Sequence, residues 1–376
     1  MISALFAGNA CVVKVSEYTA WSSVLYESIV HKALVACGHS PDLFRIITGF
    51  GESGQALVTA PVDKITFIGS PKVGKIIMKV AADTLTPVVL ELGGKDAAVL
   101  CEDCDFGQAC NLAMRGTYQS CGQNCIGLER MIVNEKIYDK YIKAIEERVK
   151  KLTQGPPLEG IFDTGSMVMS VELDRLEGLI ADAVSKGARL LCGGKKNRIE
   201  QWPLGQFFLP TLLVDVTPQM RIAQEEVFGP IMVVMKAKND EHAIQLVNSC
   251  DYGLGGSVFS ANYERAERIA AETKTGMANI NDFAVNYLCQ SLPFGGIKIS
   301  GFDRFAGIEG LRGNCYPKAV TSDRFPGVRT NIPPLLNYPM TKYSFEFCAN
   351  LCTLFYGTMT QSISAALKLA MLSTKK

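Results

Sequence analysis

Two residues of this sequence have types and surroundings that suit covalent chemistry. Cys125 lies in the polar stretch 119–127, which contains glycines and separates two predicted helices, so its thiol is expected to be partly exposed. Glu91 follows the apolar residues 88–90 and precedes a flexible Gly-Gly pair. Burial at the end of such a strand would raise the pKa of the carboxylate and make it a usable base.

Simpler interpretations exist for these side chains and for one other cysteine pair. Taken alone, Glu91 is as well explained by pairing with Lys95 or by capping the next turn. The chain has three histidines and none flanks a cysteine, which weakens a Cys-His peptidase reading. Cys101 and Cys104 form a C-x-x-C, but no second pair or histidine cluster at zinc spacing follows. We interpret that pair as incidental and expect no metal site.

Glycine-rich turns offer two candidate phosphate sites. Residues 49–54 read G-x-G-x-x-G between a predicted strand and a helix, but the acidic residue expected about 20 positions later is absent. A purely backbone role is at least as well supported there. Residues 67–74 lie at the next strand-to-helix junction, where free N–H groups and the helix dipole favour an anion. A simple N-capped turn with proline in the first turn explains this second segment equally well.

The elements that must position these residues alternate between strands and helices. This alternation predicts an α/β fold with a doubly wound, Rossmann-like parallel sheet, followed by a second α/β domain. Predicted strands are 10–15, 43–48, 64–68, 88–92, 97–100, 131–133, 232–235 and 257–259; predicted helices are 19–36, 55–59, 72–82, 107–120, 136–152 and 170–185. We expect a partial dinucleotide-binding domain over 1–92, a catalytic domain over 93–301, and a return or oligomerisation segment with a tail over 302–376.

Composition excludes several classes of protein. The chain has 376 residues, 48% of them hydrophobic, which is typical of a globular protein with more than one domain. Lysine and arginine total 38 against 37 aspartate and glutamate, so no overall field attracts nucleic acid. Thirteen scattered cysteines favour reduced thiols in an intracellular compartment, cytoplasmic or associated with endomembranes. No targeting peptide is visible.

The C-terminal tail lacks the alternation of strands and helices that is predicted for the rest of the chain. A proline-rich run near 325–339 precedes an apolar, helical stretch over 344–372 that polar residues interrupt. The stretch is therefore not expected to span a membrane, because roughly 18 continuous apolar residues would be needed. An amphipathic helix that packs on a partner or lies on a membrane surface is the alternative.

Taken together, the motifs resemble those of the aldehyde dehydrogenase superfamily over about 4–320. In the segment Gln290-Ser291-Leu292-Pro293 and in the tail after Arg324, the sequence is most similar to the plant family-22 branch and its fungal relatives. The motifs that carry the resemblance are Gly8-Asn9 with Val13-Lys14, Phe67-Ile68-Gly69-Ser70, Leu90-Glu91-Leu92-Gly93-Gly94-Lys95, Gly122-Gln123-Asn124-Cys125, Glu225-Glu226-Val227-Phe228-Gly229-Pro230, Asn279-Ile280-Asn281 and 293–301.

The resemblance implies a cofactor site for NAD. Lys14 and Glu17 would hold the adenosine ribose, and the Glu17 carboxylate would repel a 2′-phosphate, which favours NAD over NADP. Gly69 and Ser70 would meet the pyrophosphate. Residues 49–54 would then be a decoy, that is, a segment that matches the phosphate-binding pattern without binding the cofactor. Glu226 would hold the nicotinamide ribose, and Phe228 would pack near the nicotinamide. Val73 and Leu92 complete the expected cofactor set.

The resemblance also implies the reaction. The Cys125 thiolate would attack an aldehyde, and the resulting thiohemiacetal would lose hydride to the nicotinamide and leave a thioester. Glu91 would activate the water that releases the acid and would also serve as a base for the thiol. The substrate is a small-molecule aldehyde, and residues such as Met114, Tyr118 and Phe283 suggest an apolar pocket. Assembly into a homo-oligomer is expected.

One part of the family pattern has no counterpart. Family members place an oxyanion-stabilising Asn on a sheet strand upstream of the lysine motif, whereas this chain opens in what resembles the following helix. We therefore expect a fragment, a truncated isoform or an incomplete gene product, with apolar helix faces left uncovered. Two further functions remain open: a non-catalytic partner in a mixed oligomer, and a semialdehyde-type dehydrogenase that transfers the acyl group to coenzyme A.

Overall fold

The computed structural model describes residues 1–375, in which strands and helices alternate as the sequence predicts. The strands are β1 (Cys11–Lys14), β2 (Phe44–Ile47), β3 (Ile65–Gly69), β4 (Val88–Leu92), β5 (Ala97–Leu100), β6 (Arg130–Asn134), β7 (Arg189–Cys192), β8 (Lys196–Asn197), β9 (Phe207–Phe208), β10 (Thr211–Val214), β11 (Ile231–Ala237), β12 (Gly256–Phe259), β13 (Asn279–Ile280) and β14 (Gly301–Phe302). The helices are α1 (Ile2–Phe6), α2 (Ala20–Ala36), α3 (Gly51–Thr59), α4 (Pro71–Ala82), α5 (Phe106–Tyr118), α6 (Glu135–Val149), α7 (Val171–Ser185), α8 (Arg221–Gln224), α9 (Asp240–Asn248), α10 (Tyr263–Glu272), α11 (Val285–Leu288), α12 (Gly307–Arg312), α13 (Ser344–Tyr356) and α14 (Met359–Ser373).

A seven-stranded sheet in the order β13-β12-β5-β6-β11-β10-β7 forms the centre of the structure. Its neighbouring strands run parallel except β7, which is antiparallel to β10. Helices cover both faces and form two separate hydrophobic cores. Burial on both faces explains why β11 is apolar at almost every position instead of alternating.

The described residues form three smaller sheets besides this one, one of which is the antiparallel pair β8 and β9. Strands β1 and β2 pair in parallel, and β4 lies between β3, which is parallel to it, and the antiparallel β14. The α/β class and the β-α alternation are therefore confirmed, while the strands before Gly93 form two sheets instead of one. On α2 several apolar residues are exposed, among them Trp21 at 92% and Leu25 at 64%. The division at 92 and 301 stays a prediction.

The chain separates into two compact units, Met1–Tyr316 and Pro317–Lys376. In the second unit the tail is a pair of helices, because α13 ends before Gly357 and α14 begins after Thr358. The single helical stretch expected over 344–372 is thus wrong in its continuity. Within residues 1–375 no helix is both long enough and apolar enough to cross a bilayer.

Candidate active site

Strand β4 places Glu91 at the centre of the three-stranded sheet. Its register partners are Ile68 on β3 and Gly301 on β14, and the residue is 2% exposed. Gly301 has a φ of 104°, and a Cβ there would lie 1.9 Å from the Leu90 carbonyl oxygen. Only glycine therefore allows β14 to pair this closely with β4 beside Glu91.

A left-handed turn presents Cys125. After α5 ends, Ser120, Cys121 and Gly122 have φ values of 55°, 58° and 69°. A Cβ at Gly122 would lie 2.0 Å from the Gly229 carbonyl oxygen, so this segment packs directly on the backbone of residues 229–230. Non-glycine residues at positive φ cost energy that surrounding structure must offset, and such strain is frequent at functional sites. The turn leaves Cys125 half-buried.

The two segments meet through their main chains. A Cβ at Gly94 would lie 2.3 Å from the Cys125 carbonyl oxygen, so the Gly-Gly pair after Glu91 is in backbone contact with the cysteine loop. The Cys125 thiol donates to Asn124 Oδ1 at 3.8 Å, and it lies close enough to Glu91 for each group to shift the pKa of the other. Glu91 Oε1 is buried and has no hydrogen-bond partner among residues 1–375. A thiol and a carboxylate 34 positions apart along the chain therefore lie near each other.

Burial and charge set the protonation of this pair. Desolvation raises the pKa of Glu91 to about 7, and the neighbouring Cys125 thiol opposes this shift. Desolvation, followed by the negative charge of Glu91, raises the pKa of the Cys125 thiol above its ordinary value. At neutral pH the Cys125 thiol therefore keeps its proton. A carboxyl group with a pKa of about 7 can both give and take a proton near neutral pH.

Glu129 holds the loop that lies opposite the pair. Its carboxylate accepts hydrogen bonds from the backbone N–H groups of Val227 and Phe228, at 2.8–2.9 Å. The same carboxylate forms a buried ion pair with Lys95, at 2.5 Å. Phe228 has a φ of 49°. The strained backbone at Phe228 is therefore fixed by a charged group and does not depend on loop packing alone.

Two further contacts fix Glu226. The Arg175 guanidinium donates to the carbonyl oxygens of Glu226 and Val227, at 3.0 and 2.8 Å. The Gly94 N–H donates to Glu226 Oε1 at 3.0 Å. Burial, followed by the charge of Glu129, raises the pKa of Glu226 to about 7. A second acceptor carboxylate thus lies against the same Gly-Gly segment that contacts the cysteine loop.

The residues expected to bind the adenosine and phosphate groups lie at strand ends. Lys14 ends β1 and forms a 3.5 Å ion pair with Glu17. Gly69 ends β3, and the Ser70 hydroxyl caps the 12-residue helix α4 by accepting from the Val73 N–H at 3.4 Å. Gly69 and Ser70 are exposed, so the first turn of α4 is open to an anion.

Leu92 has a structural contact in addition to its expected cofactor contact. The side chain is 5% exposed, and a Cβ at Gly74 would lie 2.7 Å from it. Leu92 therefore packs β4 against α4, and its role at the cofactor stays a prediction.

The G-x-G-x-x-G segment has a backbone role. Gly49 has a φ of 143°, and a Cβ there would lie 2.2 Å from Ser53 Oγ. The helix that follows begins at Gly51, four residues earlier than the predicted start at Gln55. The first glycine is needed for the turn into α3, which agrees with the interpretation of 49–54 as a decoy.

Sequence reasoning missed a buried charged network. Lys95 pairs with Glu129 and not with Glu91, and the neighbouring Arg130 donates to three carbonyl oxygens, including that of Lys95. Asp96 accepts from the Gly255 N–H at 3.0 Å, and burial raises its pKa to about 8. The available signal was a Glu-Arg pair opening the otherwise apolar strand β6, since buried charges are rarely left unpaired.

A small polar cavity lies behind the cysteine loop. Its volume is about 10 Å³, and Asp96, Ile126, Ser257 and Asn279 are among its lining residues. Ser257 Oγ is buried and has no hydrogen-bond partner within residues 1–375. A space of this size with several polar groups suits one water molecule.

The residues suggested for an apolar substrate pocket, and the C-x-x-C cysteines, have structural contacts instead. Tyr118 is 3% exposed and its hydroxyl donates to the Thr211 carbonyl oxygen, so it lies in the core and not at a pocket wall. Met114 and Phe283 pack at the edge of the same core. Cys101 and Cys104 are free thiols, and the described residues contain no cluster able to hold a metal ion.

Residues 1–320 match the aldehyde dehydrogenase family, and the chain belongs to that family. It is 45% identical to an aldehyde dehydrogenase-like protein of Schizosaccharomyces pombe, covering 95% of this chain and 69% of the relative. A similar protein of Saccharomyces cerevisiae is 48% identical, over 90% and 54%. Mouse retinaldehyde dehydrogenase 3 is 35% identical, over 85% and 61%. The chain thus spans between about half and two thirds of these relatives.

Solved structures support the same fold. A betaine aldehyde dehydrogenase from Staphylococcus aureus, in complex with NAD+, is 34% identical with a TM-score of 0.76, covering 81% of this chain and 61% of the other. An aldehyde dehydrogenase from Mycobacterium tuberculosis, also complexed with NAD+, is 36% identical with a TM-score of 0.69, over 73% and 56%. Because the S. pombe match covers 95% of the chain, it extends beyond residue 320 into the tail.

Proposed function

We propose that this chain carries the site for NAD-dependent oxidation of an aldehyde to a carboxylic acid, with Cys125 as nucleophile and Glu91 as base. The observation that carries the proposal is the buried Glu91 carboxylate close to the Cys125 thiol, with one oxygen that has no hydrogen-bond partner among residues 1–375. A buried, unsatisfied acceptor costs stability, and an enzyme gains from it when that oxygen must bind water or take a proton.

The first half-reaction begins with proton transfer. Glu91 accepts the thiol proton, and the Cys125 sulfur forms a bond to the aldehyde carbon, giving a thiohemiacetal oxyanion. The Cys125 backbone N–H donates to no protein acceptor in the described residues and is a candidate donor to that oxyanion. Loss of hydride from the thiohemiacetal carbon would leave a thioester on Cys125, and bound NAD would supply the hydride acceptor.

The second half-reaction is hydrolysis of the thioester. After the proton has left Glu91, its carboxylate takes a proton from water, and the water oxygen attacks the thioester carbon. The carbon–sulfur bond then breaks, the acid is released, and the Cys125 thiolate that leaves with the electron pair takes a proton from Glu91. The free Glu91 Oε1 is an acceptor for that water. Hydrolysis is therefore favoured over transfer of the acyl group to coenzyme A.

The residues at the strand ends fit an adenine dinucleotide. At the exposed start of α4 the Lys72 N–H is available to a pyrophosphate, since Pro71 has no N–H and those of Val73 and Gly74 donate to Ser70; Gly69 leaves room for close approach. Lys14 and Glu17 supply a donor and an acceptor for ribose hydroxyls, and the Glu17 carboxylate disfavours a 2′-phosphate. Glu226, Phe228, Val73 and Leu92 complete the proposed cofactor set.

The test is to incubate the purified chain with an aldehyde and NAD and to follow NADH formation. We expect Cys125→Ser to abolish NADH formation, whereas Cys37→Ser, at an exposed free cysteine, leaves it unchanged. Glu91→Gln should allow a labelled acyl group to accumulate on Cys125. Absence of NADH and of label in the unaltered chain would favour the non-catalytic partner, and a coenzyme A thioester product would favour acyl transfer.

Two partner proposals accompany this function. The chain assembles with copies of itself, through the segment after Gly301. Its tail, over 344–372, contacts a membrane surface. Neither proposal is needed for the chemistry at Cys125.

A further inference from the structure

The tail forms a two-helix hairpin with an interior of its own. Helices α13 and α14 join through Gly357 and Thr358, and Thr358 and Gln361 form a capping box that starts α14. The interior consists of Leu335, Phe347 and Leu372, with Leu336, Tyr343, Leu351 and Leu369 packed against them. The hairpin therefore already satisfies one apolar face of each helix.

A second apolar face of α14 has no partner. Met359, Ile363, Leu367 and Met371 recur every four residues, which places them along one side of the helix. Their exposed fractions are 81%, 59%, 63% and 60%. We call these four residues the outer stripe. An amphipathic helix needs only one apolar face for its own core, so the outer stripe requires another explanation.

The closed end of the hairpin is also apolar and exposed. Phe355 and Tyr356 end α13 with exposed fractions of 72% and 90%, and Met359 opens α14. Aromatic residues with one polar edge are favoured at the boundary between lipid and water. The tip and the outer stripe together form one exposed apolar surface.

Charge in this unit is strongly one-sided. Residues 317–376 contain seven basic and two acidic side chains, a net charge of +5, whereas the rest of the chain has 31 basic and 35 acidic, a net charge of −4. The nine charged residues are Lys318, Arg324, Arg329, Lys342, Lys368, Lys375, Lys376, Asp323 and Glu346. Two lysine ammonium groups, from Lys342 and Lys375, lie 5.1 and 5.0 Å from the Tyr343 ring. The base of the hairpin is thus cationic.

The helix lengths exclude a spanning arrangement. The 15 residues of α14 extend roughly 22 Å at 1.5 Å per residue, short of the roughly 30 Å of a bilayer core. A short helix with an apolar stripe, flanking lysines and aromatic residues is typical of helices that lie in the membrane interface.

We propose that the hairpin of α13 and α14 binds the surface of a bilayer that contains anionic lipids. The outer stripe and the Phe355-Tyr356 tip enter the interface, and Lys342, Lys368 and Lys375 contact anionic headgroups. This deepens the membrane contact proposed for the tail and is independent of the aldehyde chemistry, because vesicle binding can be measured without substrate or NAD.

The experiment is co-sedimentation of the full chain with vesicles of phosphatidylcholine alone and with vesicles containing about one third phosphatidylserine. We expect binding to the anionic vesicles and at least tenfold weaker binding to the neutral ones. Changing the three lysines to glutamine should weaken anionic binding about fivefold per lysine, because each basic residue near such a surface contributes about 1 kcal/mol.

A matched pair of variants tests the stripe. Ile363→Glu with Leu367→Glu should weaken binding at least tenfold, because two exposed apolar side chains no longer enter the interface. Gln361→Glu with Ser364→Glu adds the same charge to the same helix outside the stripe and should weaken binding much less. Equal losses in the two double variants would overturn insertion of the stripe.

A fluorescence probe at the tip tests insertion directly and does not depend on a loss of binding that misfolding could also cause. Phe355→Trp should show a blue shift and quenching by brominated lipid on anionic vesicles, because the tip enters the interface. No sedimentation with either vesicle, or equal sedimentation with both, overturns the proposal. Concentration-dependent dimerisation that Ile363→Glu with Leu367→Glu abolishes, without vesicle binding, would assign the stripe to a second copy of the chain instead.

Discussion

The Lys95 ammonium lies 2.5 Å from a carboxylate oxygen of Glu129, and the two side chains are only 0% and 7% exposed. Burial lowers the pKa of Lys95, and the charge of Glu129 opposes that shift. The pair connects the segment after Glu91 to the strand after the cysteine loop. Its geometry therefore supports both sides of the proposed site without contacting the reacting atoms.

Breaking this pair on one side should be costly. Glu129→Gln keeps an acceptor for the Val227 and Phe228 N–H groups but leaves Lys95 without a counter-charge. We expect a loss of about 3–5 kcal/mol in the free energy of unfolding, measured by urea denaturation. The double variant with Lys95→Met should be less destabilised than the sum of the two single variants. Simple additivity would show that the two groups are not coupled.

The rate of thioester hydrolysis should depend on the ionisation of Glu91. Because the pKa of Glu91 is raised to about 7, the base form is scarce at pH 5 and predominates by pH 8. Single-turnover release of acid should therefore rise with pH and level off above about 8. In Glu91→Gln the remaining rate should lose this rise. An unchanged pH profile in the variant would exclude Glu91 as the group that titrates.

Asp96 should make the fold less stable as pH increases. Its pKa rises from 3.8 when unfolded to about 8 when folded, because burial disfavours the charge. Stability is therefore fully present below the unfolded pKa and declines as pH rises through the folded value. Asp96→Asn keeps an acceptor for the Gly255 N–H and should reduce the decline between pH 5 and 8 by about 1 kcal/mol or more. Urea denaturation at both pH values measures it.

Gly122→Ala should displace the cysteine loop. The new Cβ would meet the Gly229 carbonyl oxygen at 2.0 Å, in addition to the strain at a φ of 69°. We expect a loss of at least about 2 kcal/mol in stability and little NADH formation. Gly38→Ala separates the two causes, because Gly38 has a φ of 78° but no atom within 4 Å of the new Cβ. It should cost only about 1 kcal/mol.

Glu17 should control the choice of dinucleotide. Glu17→Gln removes the carboxylate that would repel a 2′-phosphate and leaves Lys14 without its ion-pair partner. The ratio of kcat/KM for NAD to that for NADP should fall at least tenfold, chiefly through a lower KM for NADP. Thr19→Ser, a nearby conservative change, is the control. A ratio that does not change would remove Glu17 from the proposed site.

The fold class could be predicted from the sequence, whereas long-range pairing could not. The α/β class follows from the apolar runs; flexible polar surroundings after or between predicted elements single out Glu91 and Cys125, whose catalytic roles stay a prediction. The partnership of Lys95 with Glu129 depends on how two strands are placed in space, which no local pattern specifies. The break in the tail had a signal, because Thr358 and Gln361 match the capping-box spacing at the start of a helix.

The contact between Gly94 and the Cys125 carbonyl oxygen has a consequence for how such a site can change. Since main-chain atoms set the spacing between the proposed nucleophile and the proposed base, substitutions of the surrounding side chains can reshape the space for an aldehyde without changing that spacing. By contrast, a single methyl group at Gly94 would move Cys125 away from Glu91, however well the rest of the proposed pocket suited its substrate.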